Sequence, residues 1–114
     1  MDAAELFRAL SDDTRLRIVN LLSRCQTMAV SDLVAALDMP QWHISRHLNR
    51  LRQAGIVTAR RSGTWMYYSL REEVRQVVKR IMAAVRDRLD NSIIAADLQR
   101  MRQALRRRAA RQSR

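Results

Sequence analysis

Residues 41–57 read QWHISRHLNRLRQAGIV. Ile44, Leu48 and Leu51 are spaced four and three apart, which predicts a helix over 41–54 with a single apolar stripe. Gly55 is a natural residue just past a helix end, and Ile56 and Val57 then start a strand. The remaining surface of the helix carries Trp42, Arg46, Asn49, Arg50 and Gln53, flanked by His43 and Ser45, and the stretch contains no acid. An ordinary solvated helix mixes charge signs. A face with only positive charge and an exposed tryptophan suits a polyanion, because an acid there would repel phosphate.

The segments on either side give this helix a setting. Before it, Ala3, Leu6, Phe7 and Leu10 mark a short helix over 1–10. Ser11 is the expected cap of a second helix, with Asp12 and Asp13 in its first turn and Ile18, Leu21, Leu22 and Cys25 on its inner face. QTMAV breaks the pattern. Ser31 is the expected cap of a short third helix facing inward through Leu33, Val34 and Leu37, and Asp38-Met39-Pro40 joins it tightly to the 41–54 helix. After it, residues 56–60 and 64–70 read as two strands around Arg61-Ser62-Gly63. A further helix follows with Val74, Val78, Ile81 and Val85 inward, then a break at Asp90-Asn91-Ser92 and a last helix with Ile94, Leu98, Met101 and Leu105. The tail RRRAARQSR loses the apolar stripe and reads as frayed or disordered. The order is α-α-α-α-β-β-α(-α), mainly α with a small β-hairpin. Helix, tight turn, helix and basic hairpin make a winged helix-turn-helix plan, in which the second helix of the pair enters the DNA major groove.

Composition supports that plan. Within 114 residues of net charge +11, residues 1–40 carry four Arg and six acids, whereas residues 41–70 carry five Arg and no acid. Residues 71–114 add thirteen basic residues against five acids. Charge distributed in this way points to nucleic acid ahead of an acidic membrane surface. No apolar run approaches the ~20 residues of a membrane span. The start MDAAELFRAL lacks the basic opening and apolar block of a secretion signal, and one cysteine cannot make an intrachain disulfide, so a cytoplasmic location is expected. With so small a core, a partner subunit is expected to help bury apolar surface. There is no nucleophile elbow, carboxylate pair or Gly-rich phosphate loop, so no enzyme activity and no cofactor are expected.

DDTRLRIVNLL at 12–22, SRHLNRLRQAGIV at 45–57 and YYSL at 67–70 resemble the ArsR/SmtB family of bacterial transcriptional repressors over about residues 3–89. The resemblance implies a homodimer that binds an inverted-repeat operator and releases it on a signal. It divides the chain into a DNA-binding and dimerisation domain over 1–89 and a C-terminal helix and basic tail over 90–114. Metal-sensing relatives carry Cys-Val-Cys-Asp-Leu at the start of the third helix; here Ala29-Val30-Ser31-Asp32-Leu33 stands there. Others place Asp and His ligands along the helix after the hairpin, and this chain has no His or Cys beyond His47. No familiar metal site can be assembled, so a non-metal inducer, or none, is expected.

The residues assigned to DNA are Gln41, Trp42, His43, Ser45, Arg46, His47, Asn49 and Arg50 on the helix and Arg60, Arg61 and Gly63 on the hairpin. Arg suits guanine and Gln adenine, while Trp42 has two readings, contact with DNA or packing under the hairpin. His47 lies beside the apolar stripe and reads as a packing or phosphate-contacting residue. His43 and His47 are four apart but lack further ligands for a metal site. Cys25 reads either as a buried, inert thiol or as a redox sensor. The dimer interface is assigned to Leu6, Val74, Val78, Ile81, Val85, Ile94 and Leu98. The alternative function is a basic protein that coats nucleic acid or binds RNA through charge alone.

Overall fold

The structure, a computed structural model, describes residues 1–112. Helix α1 (Ala3–Leu10) is capped by Asp2, whose carboxylate accepts from the Glu5 amide at 2.8 Å. Helix α2 (Asp13–Ser23) is capped by Asp12, which accepts from the Arg15 amide at 3.0 Å. Ser11, the expected cap, instead closes α1. The start of α3 (Val30–Leu37) also differs from expectation. Ser31 lies inside the helix, and the Asp32 carboxylate reaches back to accept from the Ala29 amide at 2.8 Å. A carboxylate does this better than a hydroxyl because it also complements the helix dipole.

Asp38 then adopts the left-handed conformation (φ 54°), and Pro40 precedes α4 (Gln41–Gln53). This turn fixes the helix-turn-helix. Helix α4 ends at Gly55 (φ 78°): the Gly55 amide donates to Arg52 and the Ile56 amide to Leu51. That pair of bonds is a Schellman closure, with Leu51 and Ile56 both buried beside it. The hairpin follows as β2 (Val57–Ser62) and β3 (Trp65–Leu70), and Gly63 takes the positive φ (61°) of its tip. A third strand was not foreseen. Met28–Ala29, inside the expected break, forms β1 and pairs antiparallel with Tyr67–Tyr68, giving the order β1-β3-β2. Two residues are too short for an alternating pattern to show.

Helix α5 (Glu72–Ala84) leads through a short 3-10 turn (Arg86–Arg88) into α6 (Asn91–Gln112). The core collects Ile18, Leu21 and Leu22 from α2, Leu33 and Leu37 from α3, and Ile44, Leu48 and Leu51 from α4. Leu6, Val74 and Val78 belong to this same core, with Val78 wholly covered, so they offer little surface to a partner. Met82 takes an inward place on α5, whereas Ile81 and Val85 are half-exposed. Ile94 and Leu98 are half-buried on α6, whose inward residues are Asp97, Met101 and Ala104.

The basic tail is not frayed over the described residues: α6 continues to Gln112, and Ser113 and Arg114 lie outside them. Charge holds it in place. Asp97 is fully buried and receives two bonds from Arg17 of α2, at 2.7 and 2.9 Å, and one from Arg100 at 3.0 Å. Its carboxylate, by that hydrogen bonding, raises the Arg17 guanidinium above its ordinary range. Arg100 also donates to the Ala36 carbonyl at 2.7 Å. Near its other end, Arg108 lies 2.8 Å from the buried Asp32 carboxylate. That contact is an ion pair only, since the Arg108 Nε–H is not aligned for a hydrogen bond.

Helices α2 and α4 meet through polar groups as well as apolar ones. Thr14 Oγ lies 3.3 Å from His43 Nε2, and Arg15 Nη1 lies 3.3 Å from His47 Nδ1. An arginine can only donate, so Nδ1 of His47 accepts and its proton sits on Nε2. His47 is 8% exposed and packs between α2 and α4, which favours the packing reading of this residue. Burial lowers its pKa from 6.5, with His43, Arg15 and Arg46 adding repulsion and Asp12 opposing them.

Two predictions follow from these buried charges. Asp97→Ala strands two guanidiniums and should cost about 2–4 kcal/mol in urea unfolding, against less than about 0.5 kcal/mol for the exposed Asp87→Ala. An equal effect of the two would remove the α6 anchor. Between the depressed pKa of folded His47 and 6.5, the folded chain holds fewer protons than the unfolded chain, so stability falls as pH falls through that window. Asp12 acts lower down: burial raises its pKa, but the Arg15 amide and the His47 and Arg15 charges outweigh that and hold it below 3.8. Melting curves between about pH 7 and pH 5 should therefore show a decline that His47→Gln flattens.

Candidate nucleic-acid interface

The tight turn at Asp38 and the Schellman end at Gly55 set both ends of α4, and its apolar stripe holds it against α2 and α3. What remains outside is the polar face. Gln41, Trp42, Ser45, Arg46, Asn49 and Arg50 are all exposed there. Trp42 is 65% exposed, so it does not pack under the hairpin. Its indole meets the His43 ring edge-on at 5.4 Å, and the Arg46 guanidinium lies over it at 5.7 Å from the ring centre. This cation–π contact gives Arg46 a preferred direction while leaving its donors open.

The two histidines sit between this face and α2. His43 is half-buried and tied to Thr14, and it packs edge-on against His47 at 4.7 Å. One edge of the His43 ring is therefore occupied by α2, and the pair serves the α2–α4 seam. Arg50 lies further along, beside Glu5 and Arg8 of α1 around a shared surface hollow. Arg52 and Gln53 are exposed too, and Arg52 adds a positive charge at the helix end that the assigned set lacks. Among the described residues no cluster of three or more His, Cys, Asp or Glu side chains is placed to hold a metal ion.

On the hairpin, Arg60 pairs across strands with Tyr67, and Arg61 with Met66. Neighbouring strand residues point to opposite faces, so the two arginines, expected to act together, diverge. Arg60 lies over the Tyr67 ring at 5.7 Å. Arg61 is exposed on the other face, which further down the strands turns Val57 and Leu70 into the core. Helix α6 reaches the hairpin on the Arg60 face. Arg108 also lies over the Tyr67 ring, at 5.2 Å, Gln112 donates to the Tyr67 hydroxyl at 2.9 Å, and Arg111 lies over Trp65 at 5.9 Å. These side chains were missed because the tail shows no apolar period. The signal was the pair of aromatics, Trp65 and Tyr67, on one face of a strand facing something not yet assigned.

Cys25 is half-buried, and its thiol points at the Leu21 and Thr27 carbonyls, at 3.5 and 3.8 Å. Burial pushes the thiol pKa up, and the nearby Arg75 only partly opposes this. Reactive thiols sit in the opposite setting, so the inert reading gains support. Arg75 itself donates to the carbonyls of Leu22, Cys25 and Gln26 and so closes the end of α2, a task its place in the sequence does not reveal.

Comparison with known proteins agrees with this geometry. The family model described as "Bacterial regulatory protein, arsR family" matches residues 12–59, from the cap of α2 into β2. An HTH-type transcriptional regulator of Methanocaldococcus jannaschii is 46% identical over 78 residues, 68% of this chain and 88% of that protein. An arsenic resistance transcriptional regulator of Pseudomonas putida is 45% identical over 82 residues, 72% of this chain; this chain spans 64% of that relative, less than two thirds of its length. Among solved structures, a homodimeric winged helix-turn-helix DNA-binding domain from Mycobacterium bovis superposes with a TM-score of 0.67 at 30% identity, covering 77% of this chain and 82% of that one. No helix among the described residues is long and apolar enough to cross a membrane. With the helix-turn-helix, the hairpin and these relatives in agreement, the chain belongs to the ArsR family of bacterial regulatory proteins and is a DNA-binding transcriptional regulator of the winged helix-turn-helix type.

Proposed function

We propose that the chain is a repressor that binds an inverted-repeat operator as a homodimer, with α4 of each copy in one major groove. The observation that carries this is the acid-free outer face of α4, where Arg46 is held over the exposed Trp42. Gln41, Trp42, Ser45 and Arg46 occupy the first two turns, the part of a recognition helix that meets base edges. Asn49, Arg50, Arg60, Arg61 and the Gly63 tip supply neighbouring backbone contacts. Residues 1–89 act as the DNA-binding and pairing unit, and residues 90–112 brace it.

A second copy is the partner that best fits the apolar surface beside α1 and α5. Phe7, Leu16, Ile81, Val85 and Leu89 line one shallow groove there, and Phe7 and Val77 are exposed. Isologous pairing through this strip replaces the Leu6, Val74 and Val78 seam, and twofold symmetry sets two α4 helices about 34 Å apart to match an inverted repeat. The M. bovis neighbour, described as homodimeric, supports the reading. The signal that releases DNA is non-metal on this reading, because Ala29 and Ser31 replace the thiols of metal-sensing relatives. A basic coat for nucleic acid would explain the net charge but not an ordered helix-turn-helix.

Binding measured across salt on selected operator and random DNA tests the reading. Arg46→Ala should cost roughly 1–3 kcal/mol, concentrated at one operator position. Uniform loss on every sequence would make Arg46 a phosphate contact and overturn base readout. Changing Arg60 and Arg61 together to Ala should weaken operator and random DNA alike and flatten the salt slope by about two units. An unchanged slope removes the hairpin from the interface. Ile81→Asp should leave a monomer in light scattering that binds one half-site but loses most operator affinity. A variant that remains dimeric and binds normally would place the seam elsewhere.

A further inference from the structure

Helix α2 buries a side-chain donor that no described residue satisfies. Asn20 is 2% exposed, and its side-chain amide nitrogen has no hydrogen-bond partner among the described residues. Buried amides are nearly always paired, because desolvating an unpaired one is unfavourable on the scale of the hydrogen bond it lacks. Asn20 lines a cavity of about 320 Å³ between α2, α5 and the start of α6. That volume is at the lower end of the range for small-molecule sites, roughly 300–1,000 Å³. Arg24, Lys79 and Arg86 also line it, and none of the three has a carboxylate partner among the described residues. Among the described residues no acid lines the cavity. Met82 and Ile94 give it an apolar wall.

We propose that this cavity is a binding site for a small organic carboxylate. The Asn20 amide donates to one carboxylate oxygen, the three cations neutralise the charge, and the carbon skeleton lies on Met82 and Ile94. Charge-assisted bonds from a buried donor are short and strong, and surrounding cations raise the local concentration of an anion. The cavity is lined by Lys79, Met82 and Ala83 of α5 and Arg86 of the turn after it, whereas the groove assigned to the second copy is lined by Ile81 and Val85; the two share Leu89. A ligand there would join α2, which carries the Thr14 and Arg15 contacts to α4, to α5, which carries the pairing strip. The site thus has the position of an effector site. Only that regulatory consequence rests on the DNA-binding reading; the binding itself does not.

The test uses the full chain labelled with nitrogen-15, titrated with benzoate, butyrate, inorganic phosphate and the uncharged benzamide. The Asn20 side-chain amide signals are assigned by their absence in Asn20→Leu. Benzoate or butyrate should shift those signals saturably, and benzamide at equal concentration should not. Asn20→Leu and the surface pair Lys79→Gln/Arg86→Gln, followed through backbone signals of α2 and α5, should each bind about tenfold more weakly or worse. No saturable shift with either carboxylate overturns the proposal. So does equal binding of benzamide, unchanged affinity in Asn20→Leu, or binding of phosphate alone. Operator affinity of the same samples without anion is read in parallel. Intact operator binding with no anion binding rejects only the cavity, whereas loss of sequence preference in the unmodified chain rejects the DNA-binding reading.

Discussion

The Asp32 carboxylate is the point where the parts of this molecule are joined. It closes the start of α3 through the Ala29 amide, and Ala29 also belongs to the strand that extends the hairpin sheet. Arg108 of α6 sits against the same oxygen. One buried charge thus sets the position of the first helix of the DNA-reading pair, the root of the hairpin and the C-terminal brace. Such a charge is tolerated inside a protein only when its hydrogen bonds and counter-ion are in place. Removing any one of the three neighbours therefore disturbs the other two.

A second constraint is the division of labour among the charges. The acids with structural tasks, Asp2, Asp12, Asp32 and Asp97, lie at helix ends or inside the fold, where each meets a backbone amide or a guanidinium. The arginines outnumber them, and those left over gather on α4, the hairpin and the outside of α6. The positive surface is thus what remains once the interior has been neutralised. Such a surface attracts DNA from a distance.

The helix-turn-helix and hairpin were legible in the sequence because both rest on local rules. The Ile44, Leu48, Leu51 spacing, the Gly55 end and the β-rich run before Leu70 each act within a few residues, and the structure has them where the spacing predicts. Expectation and structure part where distant groups decide. Ser11 and Ser31 have the chemistry of caps, but Asp12 caps α2, and Asp32 inside the first turn of α3 reaches back to the Ala29 amide. Val74 and Val78 carry a correct apolar period, yet period alone cannot say whether a stripe meets its own chain or another. The two-residue strand at Met28 exists only because β3 lies beside it. Of the α4 face, the exposed polar residues were legible, whereas the turning of His43 and His47 toward α2 depends on Thr14 and Arg15, some thirty positions earlier.

The anchoring of α6 also bears on how the chain matures. Asp97 and its α2 partner Arg17 are 80 residues apart, and Arg108 must return a similar distance to Asp32. Synthesis proceeds from the N-terminus at about 5–20 residues per second, so α2, α3, α4 and the hairpin leave the ribosome seconds before their brace exists. During that interval Asp32 lacks its counter-ion and the outer ring faces of Trp65 and Tyr67 lack their cover. Closing contacts of such long sequence separation is slow relative to forming the helices themselves. On that order of synthesis α3 and the hairpin exist before the charges and side chains that fasten α6 to them.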